Sequence, residues 1–248
     1  MSTLKLLVTG CKGRMGQTVT ACASEDDAVE ASCGIDLGDS LEESIVKCDA
    51  VIDFTLPSFT AELIDSCTTH RKALVMGTTG HDDDLLAKIR AASETIPVVH
   101  APNFSVGVNT LFWLTQKTTE ILGPQFDLEV IEMHHRHKQD APSGTARRLA
   151  EILAEVRNLS YDDDCRHGRH GDVGARTDTE IGVHSLRGGD VVGDHTIVYA
   201  IDGERVELTH KASSRATFAN GAIRAAKWIA SEGKTSGLFD MQDVLGLR

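Results

Sequence analysis

Apolar residues in the first hundred positions fall in short runs, each followed by a stretch of helical period. Leu4–Thr9 is a continuous apolar strand apart from Lys5, and the turn Gly10–Gly16 leads into a predicted helix over Gln17–Ser24. Further strands are predicted at Ala28–Ile35, Ala50–Leu56 (A-V-I-D-F-T-L), Ala73–Met76 and Pro97–His100. Helices are predicted at Phe59–His70, capped by Ser58, and at His81–Ser93. Strands alternating with helices through short loops imply an α/β unit with a doubly wound parallel sheet, whose ligand lies at the strands' carboxyl ends. After a predicted helix over Val106–Leu122, closed by Gly123-Pro124, the pattern changes. A strand over 127–133, a helix over Gly144–Val156 and a polar loop over Tyr161–Arg176 precede three strand-like runs, Thr179–Leu186, Val192–Ile201 and Glu204–His210. The last two read as a hairpin around Asp202-Gly203. Such a run predicts a second, α+β domain with an open, mixed sheet, one face of which is left for a helix or another subunit. A helix over Arg215–Ser231 and an apolar tail, Leu238–Leu247, are expected to return to the first domain. The expected division is therefore 1–105 with 216–248, and 106–215.

Composition narrows the class. With 248 residues the chain can bury a full core, as one large domain or two small ones. Its 41% hydrophobic and 25% charged residues are ordinary for a soluble globular protein, and no run of about 18 apolar residues offers a membrane span. The net charge of −12 argues against the basic face that a nucleic-acid partner needs, leaving only local basic patches. The start, M-S-T-L-K-L-L-V-T-G, lacks a signal peptide's layout. Six scattered cysteines without a C-x-x-C pair, four of them (Cys22, Cys33, Cys48 and Cys67) inside predicted elements, read as reduced core thiols. A cytoplasmic protein is expected.

Two stretches carry chemistry. The first is Glu132–Thr145, E-M-H-H-R-H-K-Q-D-A-P-S-G-T, which places three histidines, an arginine, a lysine and an aspartate in seven residues at the end of a predicted strand. Ser143 can N-cap the following helix, aiming backbone N–H groups and the positive end of the helix dipole at whatever lies beside the cluster. A carboxylate suits that place. His134 and His135 are adjacent on an extended segment and should face opposite ways, so one handles protons while the other binds or supports. Solvated histidines are the plain alternative. A metal site is not expected, because there is no helical i,i+4 histidine pair and no cysteine partner.

The second stretch is Gly10-Cys11-Lys12-Gly13-Arg14-Met15-Gly16, between a strand and a helix, where a dinucleotide's pyrophosphate would sit. It departs from G-x-G-x-x-G in having Lys12 at the middle glycine. Asp36 ends the second predicted strand 20 residues after Gly16, about where an acid accepts hydrogen bonds from an adenosine ribose. Gly77–Thr79 and Ala101–Phe104 fall at the same edge. A plain tight turn and a chance acid are the bland readings of these features.

Five segments carry a resemblance: G-C-K-G-R-M-G, G-T-T-G, A-P-N-F-S-V-G-V-N, E-M-H-H-R-H-K-Q-D-A-P-S-G-T-A and H-K-A-S-S-R-A-T-F-A-N-G-A. In this order, over essentially the whole chain, they resemble the 4-hydroxy-tetrahydrodipicolinate reductase (dihydrodipicolinate reductase) family of the diaminopimelate route to lysine. The resemblance implies a Rossmann-like first domain, NADH or NADPH as cofactor, a small dicarboxylate substrate and a homotetramer assembled through the second domain's sheets. Cofactor contacts are implied at Gly10, Cys11, Lys12, Gly13, Arg14, Met15, Asp36, Gly77, Thr78, Thr79, Ala101, Pro102, Asn103 and Phe104. It implies His134 as acid/base, Lys138 as the catalytic lysine, and substrate contacts at His135, Lys138, Gly144 and Thr145. Hydride addition to a conjugated imine leaves negative charge on carbon and nitrogen, which a cation stabilises and an acid quenches. Either Lys138 or His134 can deliver that proton.

Overall fold

The computed structural model describes residues 3–231 and 233–247; Met1, Ser2, Glu232 and Arg248, which the expected domain ranges and the start of the chain include, lie outside the described residues. The chain forms two compact units, Met1–Val106 with Arg215–Arg248, and Gly107–Ser214.

The first unit begins β1 (Leu4–Thr9), α1 (Arg14–Ser24), β2 (Val29–Ile35), α2 (Leu41–Ile45), β3 (Ala50–Asp53), α3 (Pro57–Thr69), β4 (Ala73–Met76), α4 (Asp83–Ser93) and β5 (Pro97–His100). β3 is shorter than its apolar run predicts, because Phe54–Leu56 leave the sheet at its carboxyl edge. α3 starts with Pro57 at its first helical position, where a missing N–H costs nothing, so Leu56 rather than Ser58 is the cap residue. α4 begins two residues later than predicted, where the Asp82 side chain accepts from Leu85 N–H.

The second unit follows with α5 (Val106–Leu122), β6 (Asp127–His134), α6 (Gly144–Arg157), α7 (Tyr161–Asp164), β7 (Cys165–His167), β8 (Ile181–Arg187), β9 (Gly193–Ile201) and β10 (Glu204–Ala212). The chain then closes the first unit with α8 (Ala216–Ser231), β11 (Gly237–Phe239) and α9 (Met241–Leu245). The predicted tail is thus a strand and a helix, the helix started by an Asp240 capping box.

All neighbouring strands of the six-stranded sheet, in the order β11-β5-β4-β3-β1-β2, are parallel. Alternate residues of β1 feed two cores. Leu6 and Val8 pack with Val19 of α1 and Ala222 and Ile229 of α8, whereas Leu7 packs with Leu63 of α3 and Ile89 of α4. Both faces are therefore covered, as a parallel sheet requires.

In the second unit the order is β10-β9-β6-β8-β7. β9 is antiparallel to β10 and β6, while β8 is parallel to β6 and β7, which makes the sheet mixed. One face, with Leu128, Val130, Ile181, Val183, Ile197 and Tyr199, packs on α5 and α6. The polar loop of 161–176 holds α7, β7 and two arginines that neutralise the sheet's acidic end. Arg169 bridges Glu129 and Glu180, and Arg176 pairs with Asp127. Ile131 and Leu186, two apolar residues of this sheet, are exposed.

Candidate active site

In the first unit a cleft of about 700 Å³ opens at the carboxyl ends of β1, β2 and β3, lined among others by Gly10, Lys12, Gly13, Asp36, Phe54 and Thr55. Gly10 has a left-handed φ of +68°, and a Cβ on Gly16 would stand 2.1 Å from the Gly10 carbonyl oxygen. The turn therefore closes tightly onto α1, whose cap residue, Gly13, brings no side-chain hydrogen bond and whose first turn has no acid. An anion finds open N–H groups there. Among the described residues the left-handed non-glycine positions are Arg71 and Asn158, so Lys12 sits in ordinary backbone and needs no glycine.

The Asp36 carboxylate accepts from the backbone N–H of Leu37 (2.8 Å) and of Lys12 (2.9 Å), and these bonds hold its pKa below the usual range. It is thus a fixed anion joining the end of β2 to the turn, with lone pairs left for ribose hydroxyls. Cys11 packs against Gly34 and Met15 against the core, so both shape the turn from behind; the Arg14 side chain is exposed.

Gly77, Thr78 and Thr79 follow β4, and here the structure adds a residue that the sequence reading passed over. Asp53, fully buried at the end of β3, accepts from Thr9 Oγ1 (2.6 Å), Thr55 Oγ1 (2.7 Å) and Thr78 Oγ1 (2.6 Å). Three strand ends are thereby tied at the cleft. Ala101–Phe104 follow β5; the Asn103 side chain accepts from Ser105 N–H, and the Phe104 ring meets Phe54 edge-on at 5.9 Å. The glycine turn, the fixed acid and the cleft fit the adenosine and pyrophosphate groups of a dinucleotide.

In the second unit the register of three strands assembles a polar cluster on the face that is otherwise core. Glu132 continues the line of Leu128 and Val130, and pairs across with Ser185 on β8 and His195 on β9. His134, the next residue on that face, pairs with Arg187. The Glu132 side chain has no exposed surface. Its Oε2 lies 2.6 Å from His134 Nδ1 and accepts from Arg187 at 2.9 Å; its Oε1 accepts from Ser143 N–H at 3.2 Å. Burial works to raise this carboxyl, but hydrogen bonds from His134, Arg187 and Ser185 outweigh it and bring the pKa down to about 2.

His195 stacks edge-on with His134 at 5.2 Å, and its Nε2 meets Ser143 Oγ at 3.0 Å. Burial foremost, then the neighbouring His134, push its pKa down to about 3, so it is a neutral imidazole. A Cβ on Gly193 would stand 3.0 Å from His134 Nε2, so the absent side chain keeps that nitrogen open.

Ser143 caps α6, its hydroxyl accepting from Ala146 N–H, with Gly144 exposed and Thr145 half-buried at the helix start. Lys138 Nζ is held by both oxygens of Asp140, at 2.9 and 2.8 Å. The second arm of Arg187 donates to the Asp140 carbonyl at 2.7 Å, tying this loop to the sheet. His135 is half-buried, its ring 6.3 Å from that of His137. Among the described residues no group of three metal-ligating side chains converges, and no helix is long and apolar enough to cross a membrane.

Residues 4–104 match the family model described as dihydrodipicolinate reductase, N-terminus, and residues 107–245 match the one described as its C-terminus. The chain is 53% identical to the 4-hydroxy-tetrahydrodipicolinate reductase of Akkermansia muciniphila, over 98% of each protein. It is 44% identical to that of Laribacter hongkongensis over 100% of each. A dipicolinate-bound dihydrodipicolinate reductase from Paenisporosarcina sp. TG-14 shares the fold at a TM-score of 0.77 and 24% identity, over 98% of this chain and 99% of that one. Matched through both units and along its length by relatives of one kind, the chain belongs to the dihydrodipicolinate reductase family.

Proposed function

We propose that this chain reduces 4-hydroxy-tetrahydrodipicolinate to tetrahydrodipicolinate with NADH or NADPH, in the diaminopimelate route to lysine. The observation that carries the reading is the second unit's cluster, in which His134 at the end of β6, Lys138 in the short connection after it and the exposed start of α6 follow one another within 11 residues. A dicarboxylate finds there a lysine ammonium and backbone N–H groups at a helix start. The dinucleotide, when bound, supplies a hydride. His134 holds or moves the proton, Lys138 stabilises the charge that develops, and His135, Gly144 and Thr145 orient the substrate's carboxylates. Gly10–Met15, Asp36, Gly77–Thr79 and Ala101–Phe104 hold the cofactor. On this reading residues 1–105 with 216–248 form the dinucleotide-binding domain, and 106–215 bind substrate and assemble subunits. The protein works in the cytoplasm as a homotetramer.

The test is a coupled assay. Aspartate semialdehyde and pyruvate, with the synthase that condenses them, should drive NAD(P)H oxidation by this protein. Lys138→Ala should lower kcat by about 10²–10⁴-fold with far less effect on cofactor affinity. Absence of oxidation with that pair would exclude the substrate, and a folded Lys138→Ala protein within a few-fold of the parent would exclude the lysine's role.

A further inference from the structure

We infer that Glu132, held by Arg187, is the positioning residue for His134: it takes the proton-bearing Nδ1, so that Nε2 is the nitrogen that exchanges a proton with the substrate. The inference rests on the reading of His134 as the acid/base group. Glu132 is a charged residue at a place where strand alternation calls for an apolar one, following Leu128 and Val130 into the core. Nothing in the packing requires a carboxylate there. Its two oxygens are nevertheless fully engaged, by His134 Nδ1 at 2.6 Å and Arg187 at 2.9 Å on one, and by Ser143 N–H at 3.2 Å on the other. An ionised carboxylate offers only acceptors, so Nδ1 must carry the hydrogen of this short contact. Nε2 is then the free nitrogen, and it is the one that faces Gly193, where no side chain stands.

Arg187 matches the buried charge, so that the pair adds no net charge beside the imidazole, and its other arm holds the Asp140 carbonyl, two residues from Lys138. The neighbouring ring, His195, is neutral and contributes no competing positive charge. In the proton step the N–H bond at Nε2 of the imidazolium breaks, its electron pair stays on nitrogen, and the proton forms the new C–H or N–H bond of the reduced substrate. The remaining imidazole keeps Nδ1–H on Glu132, and water restores the proton to Nε2. A histidine without this partner would have to find the right tautomer and ring orientation anew in each cycle.

Long-range nitrogen–proton correlation spectra of histidine-labelled protein test this directly, with His134 assigned by the signal lost in His134→Gln. The neutral form of His134 should be the Nδ1–H tautomer with a bare Nε2, the opposite of free histidine's preference. A dominant Nε2–H tautomer in the wild-type protein would overturn the inference, whatever the variants do. Kinetics give a second arm. Glu132→Gln should lower kcat by about 10–100-fold with a smaller change in substrate KM. The double variant Glu132→Gln/His134→Gln should be no slower than His134→Gln alone, because the two residues act as a unit. Losses that multiply would show that Glu132 does not act through His134. A His134→Gln protein with parental kcat would instead sink the acid/base reading itself, an outcome seen in the single variant.

Discussion

On the proposed reading, the choice of dinucleotide turns on two single side chains, Lys12 and Asp36. Asp36 is legible in the sequence as an acid at the end of a strand, about the right distance after the glycine turn. The structure adds that the Lys12 contact to it is made by the backbone N–H, which leaves the exposed ammonium to reach elsewhere. Beside Asp36 the cleft is rimmed by Leu37 and Leu56, which are 98% and 68% exposed. These apolar chains stand where an arginine would be needed to offset repulsion between Asp36 and a 2′-phosphate. Leu56 could not be placed from sequence, since it comes from the segment that leaves the sheet after β3. Both cofactors should serve, with NADH at least as good as NADPH. Lys12→Ala should weaken NADPH more than NADH, and Asp36→Ala should do the reverse. Dissociation constants of both cofactors for the wild type and the two variants check this: equal losses in Lys12→Ala would remove the lysine from 2′-phosphate recognition, and a strong wild-type preference for NADPH would overturn the role of Asp36.

Among the elements, the parallel sheet was the easier to read, because strand, turn and helix lie close together in sequence. The polar cluster of the second unit was half legible. The histidines and Lys138 lie in one segment, whereas Glu132 shows itself as a charge on the core-facing side of β6 only once the strand's faces are known. Its partners Arg187 and His195 come from β8 and β9, some 55 and 63 residues further on, and only strand register brings them in. Two predictions belong at this scale. Gly193→Ala, at an ordinary backbone angle on β9, should fold and should lower kcat by about tenfold or more, since its methyl would crowd His134 Nε2. An unchanged kcat in a folded variant would place the reacting nitrogen elsewhere.

The second concerns acid. His195 stays neutral in the folded protein down to about pH 3, whereas the unfolded chain protonates near the ordinary 6.5. Between those values the unfolded state binds more protons, so stability is present above 6.5 and falls as the pH drops through the window. By pH 5 this one group costs about 2 kcal/mol, and Glu132, whose effect begins only below its ordinary 4.5, does not yet contribute. A His195→Gln variant should therefore lose about 2 kcal/mol less than the parent between pH 7.5 and 5 in urea unfolding. Equal losses would mean that His195 does not contribute to the acid sensitivity in this window.

For the molecule as a whole, the open mixed sheet is the feature to test first. Exposed Ile131 and Leu186, set against a helix-covered opposite face, suit a contact with another copy. Sedimentation should find a tetramer, and Ile131→Asp with Leu186→Asp should reduce its order; a wild-type monomer would exclude the assembly. The last consequence follows from the order of the chain. The second unit is one continuous stretch, Gly107–Ser214, inserted in the first, whose sheet edge β11 and core helix α8 come after it. On the ribosome the inserted unit has all its strands before the dinucleotide unit has its own. The core behind the cleft proposed for the cofactor is then completed only near the end of synthesis, and nascent chains halted at Ser214 should not be protected from protease by NADH.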